Sequence, residues 1–159
     1  MSLSQRVKQG YLRLPSMEKV IFLGSVITMV STVMPWYDNR NNYNIGETYL
    51  GFQGPLFVVG LLTLGFAGFC FLKIFLPFMG RNFFHSSYKI GKLSLILGLE
   101  SMLMLVIANT VFYHPDFGDN ATNKAIRFGM FVAFLGVSMM ITGGYLASKR
   151  GEVREESFP

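Results

Sequence analysis

One side chain in this sequence is chemically out of place. Glu100 interrupts an apolar run from Leu93 to Pro115, about ten residues into the helix expected over 91–114 and near the depth of a bilayer centre. An ionised carboxylate there costs about 3 kcal/mol or more, so it has to be protonated, paired or wetted. Three kinds of chemistry would meet that demand. Alternately protonated and bound, Glu100 would form a proton- or cation-coupled site. Held neutral, it would hydrogen-bond to hydroxyls on neighbouring helices, for which Ser25, Thr28, Ser31 and Thr63 are the candidates. Such bonds hold membrane helices together at about 1 kcal/mol or less each. Paired, it would meet a basic residue of another chain.

The other reactive residue types are scattered. His85 and His114 fall on opposite sides of the third apolar run, so they cannot share one metal ion or clasp one haem. His114 with Asp116 and Asp119 would make a weak outer metal site without a rigid ligand geometry. Cys70 is the one cysteine, which excludes an internal disulfide and thiol–disulfide relay chemistry. Asp38, Arg40 and Glu47 fall in a polar stretch that reads as a solvated loop or a ligand contact. Asn120-Ala121-Thr122 matches a glycosylation acceptor, a tripeptide common by chance. There is no HExxH, GxSxG, P-loop or Gly-rich dinucleotide turn. These observations support no enzyme, and no catalytic, cofactor or metal residue is assigned.

The elements that position Glu100 follow from composition. The 159 residues are 51% hydrophobic and only 14% charged, against roughly a quarter charged in a soluble domain. Four runs are long enough to cross about 30 Å of hydrocarbon. They predict helices over about 19–37, 55–76, 91–114 and 124–148, with a leader 1–18 and a tail 149–159. None has the polar stripe of a soluble bundle helix. The expected fold is an all-α, up-down bundle of four transmembrane helices forming a single domain. Ser16 suits the N-cap of the first helix, with Glu18 at its positive dipole end. Thr122 or Asn123 suits the cap of the fourth. Trp36, Tyr37 and Tyr113 are expected as aromatic anchors at helix exits. A small hairpin or a structureless cap is expected over 38–54.

Orientation follows from Lys and Arg. Arg40, Lys124 and Arg127 stand on one side of the apolar runs, and the other basic residues, grouped in the leader, the second-to-third connection and the tail, stand opposite. The positive-inside rule places both termini in the cytoplasm, in a multi-pass protein of the plasma membrane. Leu3, Val7, Tyr11 and Leu14 share one face of a helix, with Arg6, Lys8 and Arg13 away from it. That pattern suits an amphipathic helix lying on the inner leaflet. Phe78, Phe83, Phe84 and Tyr88 mixed with Arg81, Lys89 and Lys92 suit anionic lipid headgroups, and the connection is too short for an RNA-binding platform.

The third helix carries Gly91, Ser94, Gly98, Ser101, Leu105 and Ala108 at alternating spacings of three and four. Five of those six are small, which makes a seam for a closely packed helix. The leading expectation is therefore a non-enzymatic membrane protein that acts by packing, as a scaffold, assembly factor or accessory subunit. Its partner would be a membrane protein or a second copy, with no role for nucleic acid. The alternative is a small oligomeric proton-linked transporter or channel using Glu100. Neither of two four-helix families fits. A claudin-like protein needs a cysteine pair in a longer first outer loop, and a small multidrug transporter carries its Glu in the first helix.

Overall fold

The computed structural model describes residues 3–40, 46–54, 56–79, 89–113 and 123–156. In chain order these form α1 (Leu3–Arg13), α2 (Ser16–Thr32), β1 (Pro35–Arg40), β2 (Gly46–Leu50), α3 (Phe57–Phe75), a 3-10 turn (Leu76–Met79), α4 (Ile90–Tyr113), β3 (Asn123–Ile126) and α5 (Phe128–Glu156). Three helices are long and apolar enough to cross a membrane: α3, α4 and the Phe128–Arg150 part of α5. A helix satisfies its backbone internally, which hydrocarbon demands. At 17 residues, α2 is shorter.

The first apolar run does not stay helical to Tyr37. Val33 N–H and Met34 N–H close a tight last turn on the carbonyls of Val30 and Ser31. Pro35 then starts β1. Proline has no amide hydrogen to continue the helix and disfavours helical backbone before it. Trp36 and Tyr37 are therefore buried in the core at 1% and 3% exposure rather than anchored at a helix exit. The indole Nε1 donates to the Ser31 carbonyl at 2.7 Å. At the other end of α2, Pro15 occupies the cap position, without a side-chain bond, and Ser16 is the first helical residue. Asn123 opens β3 rather than capping α5. The last helix runs on past 148 to Glu156.

The strands form one antiparallel sheet in the order β2-β1-β3. Tyr37 pairs with Tyr49 and with Ile126, and Asp38 pairs with Thr48 and with Ala125. Arg127 N–H adds a bond to the Trp36 carbonyl at 2.8 Å. The stretch expected as a hairpin or loose cap is thus two strands of a three-stranded sheet, with 41–45 outside the described residues. Gly54, at φ 74°, turns the chain towards α3 in a conformation that favours glycine.

Packing centres on α5, which lies against α2 on one side and α4 on the other, while α3 lies against the same two helices. Close approach on the α2 side depends on glycine. A Cβ on Gly24 would sit 2.8 Å from the Gly136 carbonyl oxygen, and one on Gly136 would sit 2.5 Å from Thr28 Oγ1. Beneath the sheet, Trp36, Tyr37, Leu105, Ala108, Phe112, Met130, Ala133 and Val137 make the larger core cluster. At the opposite end, α1 is fastened to α2. Tyr11 stacks obliquely on Phe22 at 5.9 Å, and Lys19 Nζ donates to the Leu12 carbonyl at 3.3 Å.

Candidate functional site

Helix α4 has two faces. Gly91, Ser94, Gly98, Ser101, Leu105 and Ala108 are all buried. A Cβ on Gly98 would lie 2.8 Å from Ile141 Cγ1, so this seam seats α5. Ser94 Oγ crosses the contact to donate to the Met140 carbonyl at 3.0 Å, while Ser101 Oγ donates back to Leu97 of its own helix at 2.8 Å.

Glu100 is on the other face, and it is exposed. Around it Ile96, Leu99, Leu103, Val106 and Ile107 are between 42% and 53% exposed. Glu100, Ile96, Leu103 and Ile107 recur at helical spacing, so the carboxylate stands inside an outward apolar stripe. It is about 15 Å along α4, at 1.5 Å per residue.

The hydroxyls expected as its partners are elsewhere. Ser25 Oγ donates to the Phe22 carbonyl at 2.8 Å, Thr28 Oγ1 to the Gly24 carbonyl at 2.9 Å, and Ser31 Oγ to the Thr28 carbonyl at 2.6 Å. All three therefore bond back onto α2, and Thr28 Oγ1 also reaches Met140 Sδ on α5 at 3.8 Å. Thr63 Oγ1 is buried on α3 with no hydrogen-bond partner among the described residues. The structure does not bring these four residues together with Glu100. The spacing carried a signal for this. Glu100 is two residues after Gly98 and one before Ser101, and neighbours that close in sequence do not share a helix face.

At the sheet end sits a polar site of another kind. Asp38 is only 2% exposed. Thr48 Oγ1 donates to its Oδ1 at 2.6 Å. Its Oδ2 accepts from the Arg127 guanidinium and lies 3.2 Å from Arg40 Nε. The Arg127 hydrogen bond, with help from Thr48 and the charge of Arg40, holds this carboxyl below the usual aspartate range, against the opposing effect of burial. Asp38 is therefore neither a solvated loop residue nor an open ligand contact. It ties β1 to β2 and to the start of α5.

His85, His114, Asp116, Asp119 and the Asn120–Thr122 tripeptide lie outside the described residues, as do Phe83, Phe84 and Tyr88. Among the described residues no three His, Cys, Asp or Glu side chains gather in a metal-binding group. Cys70 is buried and unbridged beside Ala67 and Met140. What α4 offers chemically is one carboxyl on the outward apolar face of a helix long and apolar enough to cross a membrane, able to make one strong hydrogen bond or ion pair. Compared with known proteins, the chain matches no family model, no curated sequence and no solved structure.

Proposed function

We propose that this chain is a non-enzymatic accessory or assembly subunit that receives a partner's transmembrane helix on the outward face of α4, at Glu100. In this reading α2 is a fourth span, with Glu18 and Lys19 of its first turn at the membrane surface and the apolar stretch continuing from the helix into Trp36 and Tyr37 of β1. The four spans form an up-down bundle in the plasma membrane with both termini cytoplasmic. The leader helix α1 lies at the inner surface, and anionic lipid surrounds the basic end.

The observation that carries the proposal is the exposure of Glu100 in the middle of an apolar stripe. Lipid tails offer this carboxyl no donor, and leaving it unmatched costs about 3 kcal/mol if it is charged. Among the described residues its own chain does not supply the counter-group. A partner helix bearing a Lys, Arg or polar amide at the same depth would do so. The seam residues that a partner would otherwise use are already occupied by α5.

The test is extraction from the native membrane in mild detergent, followed by the mass of the complex and identification of its components. A stoichiometric second protein that is lost on Glu100→Leu is the expected result. A pure homo-oligomer would replace this reading with proton-linked transport. It would then be pursued by pH-dependent flux in reconstituted vesicles, with Glu100→Gln as the control. A lone monomer would refute both.

A further inference from the structure

At the end of the helices opposite the sheet, α4 and α5 leave a groove of about 490 Å³ between them. Its walls are Lys92, Leu95 and Ile96 from α4 and Tyr145, Ser148 and Lys149 from α5. Glycines fix the two helices beside it. A Cβ on Gly91 would lie 2.8 Å from Ser148 N, and one on Gly144 would lie 2.6 Å from Leu95 N. The close crossing brings a lysine from each helix to one mouth.

Three further observations point to an anion. Lys92 is in the first turn of α4, a turn without an acidic residue, so the positive end of the helix dipole adds to the lysines. Ser148 Oγ is buried and has no hydrogen-bond partner among the described residues. A second groove, of about 330 Å³ on the neighbouring flank of α5, adds Arg150 beside the same Lys149. Below the mouth the wall is apolar, at Leu95 and Ile96. A small water-soluble anion would leave that part unused. A phospholipid would use all of it, and basic pockets between membrane helices suit such headgroups.

We propose that this groove binds one anionic phospholipid. Its phosphate sits between Lys92 and Lys149 with Ser148 as a donor, and an acyl chain lies over Leu95 and Ile96. The inference rests on α4 and α5 as membrane helices and not on the partner reading of Glu100.

The test is native mass spectrometry of the full chain in mild detergent, titrated with phosphatidylglycerol, phosphatidylcholine or inorganic phosphate. One phosphatidylglycerol is expected to be retained in preference to phosphatidylcholine. The double variant Lys92→Gln, Lys149→Gln is expected to weaken it by about tenfold or more, and Ser148→Ala by a smaller factor. The matched double variant Lys8→Gln, Lys73→Gln removes the same charge outside the groove and is expected to leave retention unchanged. Equal loss in both double variants would overturn the site in favour of diffuse charge attraction. Displacement of the lipid by millimolar inorganic phosphate would overturn it in favour of a simple phosphate site. If the lysine variant fails to fold, Ser148→Ala decides alone, and unchanged retention there would refute the proposal.

Discussion

Two acidic residues of this chain solve opposite electrostatic problems. Asp38 is buried but fully partnered, by Thr48, Arg127 and Arg40. Its removal leaves donors without an acceptor, so Asp38→Ala is expected to cost about 2 kcal/mol, tempered because both arginines are partly exposed. Thermal unfolding in detergent measures this. The sign with pH is set by the lowered carboxyl. Its contribution is complete above the unfolded value of about 3.9 and declines as pH falls towards the lower folded value. The stability gap between wild type and Asp38→Asn is therefore expected to hold from pH 7 to about 5 and to shrink below about 4. A gap that stays constant down to pH 3 would show that the charge is irrelevant. Glu100 is the converse, exposed on an apolar face and unmatched among the described residues. Glu100→Leu is expected to leave the thermal stability of the isolated chain unchanged or raised. A marked loss would mean that the carboxyl serves this chain's own fold.

At the scale of elements, legibility in sequence tracked how local the cause is. The α3, α4 and α5 spans were readable because each is one long apolar run, broken in α4 at mid-length only by Glu100, whose backbone bonds are internal. The buried seam of α4 was readable because small residues recur at helical spacing along one element. A hairpin over 38–54 was one of two readings, and the sheet that β3 completes was not readable. Its strands are four to six residues long, and the Asp38–Arg127 link joins residues 89 positions apart. Trp36 and Tyr37 extend an apolar run, and hydropathy alone cannot tell a helix end from a buried strand. Only Pro35 marked the break. The helix contacts make a sharp contrast among glycines. A Cβ on Gly24 meets the backbone of α5 at 2.8 Å, whereas one on Gly65 meets nothing within 4 Å. Gly24→Ala is expected to destabilise by about 2 kcal/mol through forced separation of α2 and α5. Gly65→Ala is expected to be neutral or stabilising by up to about 1 kcal/mol, because alanine favours the helix. Equal melting temperatures for the two variants would contradict the observed α2–α5 contact.

For the whole molecule, the two ends differ in kind. One end is closed by the sheet and carries Arg40, Lys124 and Arg127, with Asp38 neutralising part of that charge. The other carries Lys19, Lys73, Lys89, Lys92, Lys149 and Arg150 around helix ends and the groove between α4 and α5. A bilayer reads this asymmetry during insertion, because basic residues close to a span resist translocation. The sheet end is therefore expected outside and the basic end inside. The single cysteine makes the point testable. Cys70 is buried, and replacing it with alanine gives a background without thiols. In that background Glu47→Cys, on the exposed strand β2, is expected to react with a membrane-impermeant maleimide in intact cells. Lys149→Cys is expected to react only after the membrane is opened. The reverse pattern would invert the protein. It would also move the lipid groove to the outer leaflet, where anionic lipid is scarcer, so the topology bears directly on the ligand proposed there. Labelling of both positions in intact cells would put an even number of spans between residues 47 and 149 and remove one of α3, α4 and α5 as a membrane helix.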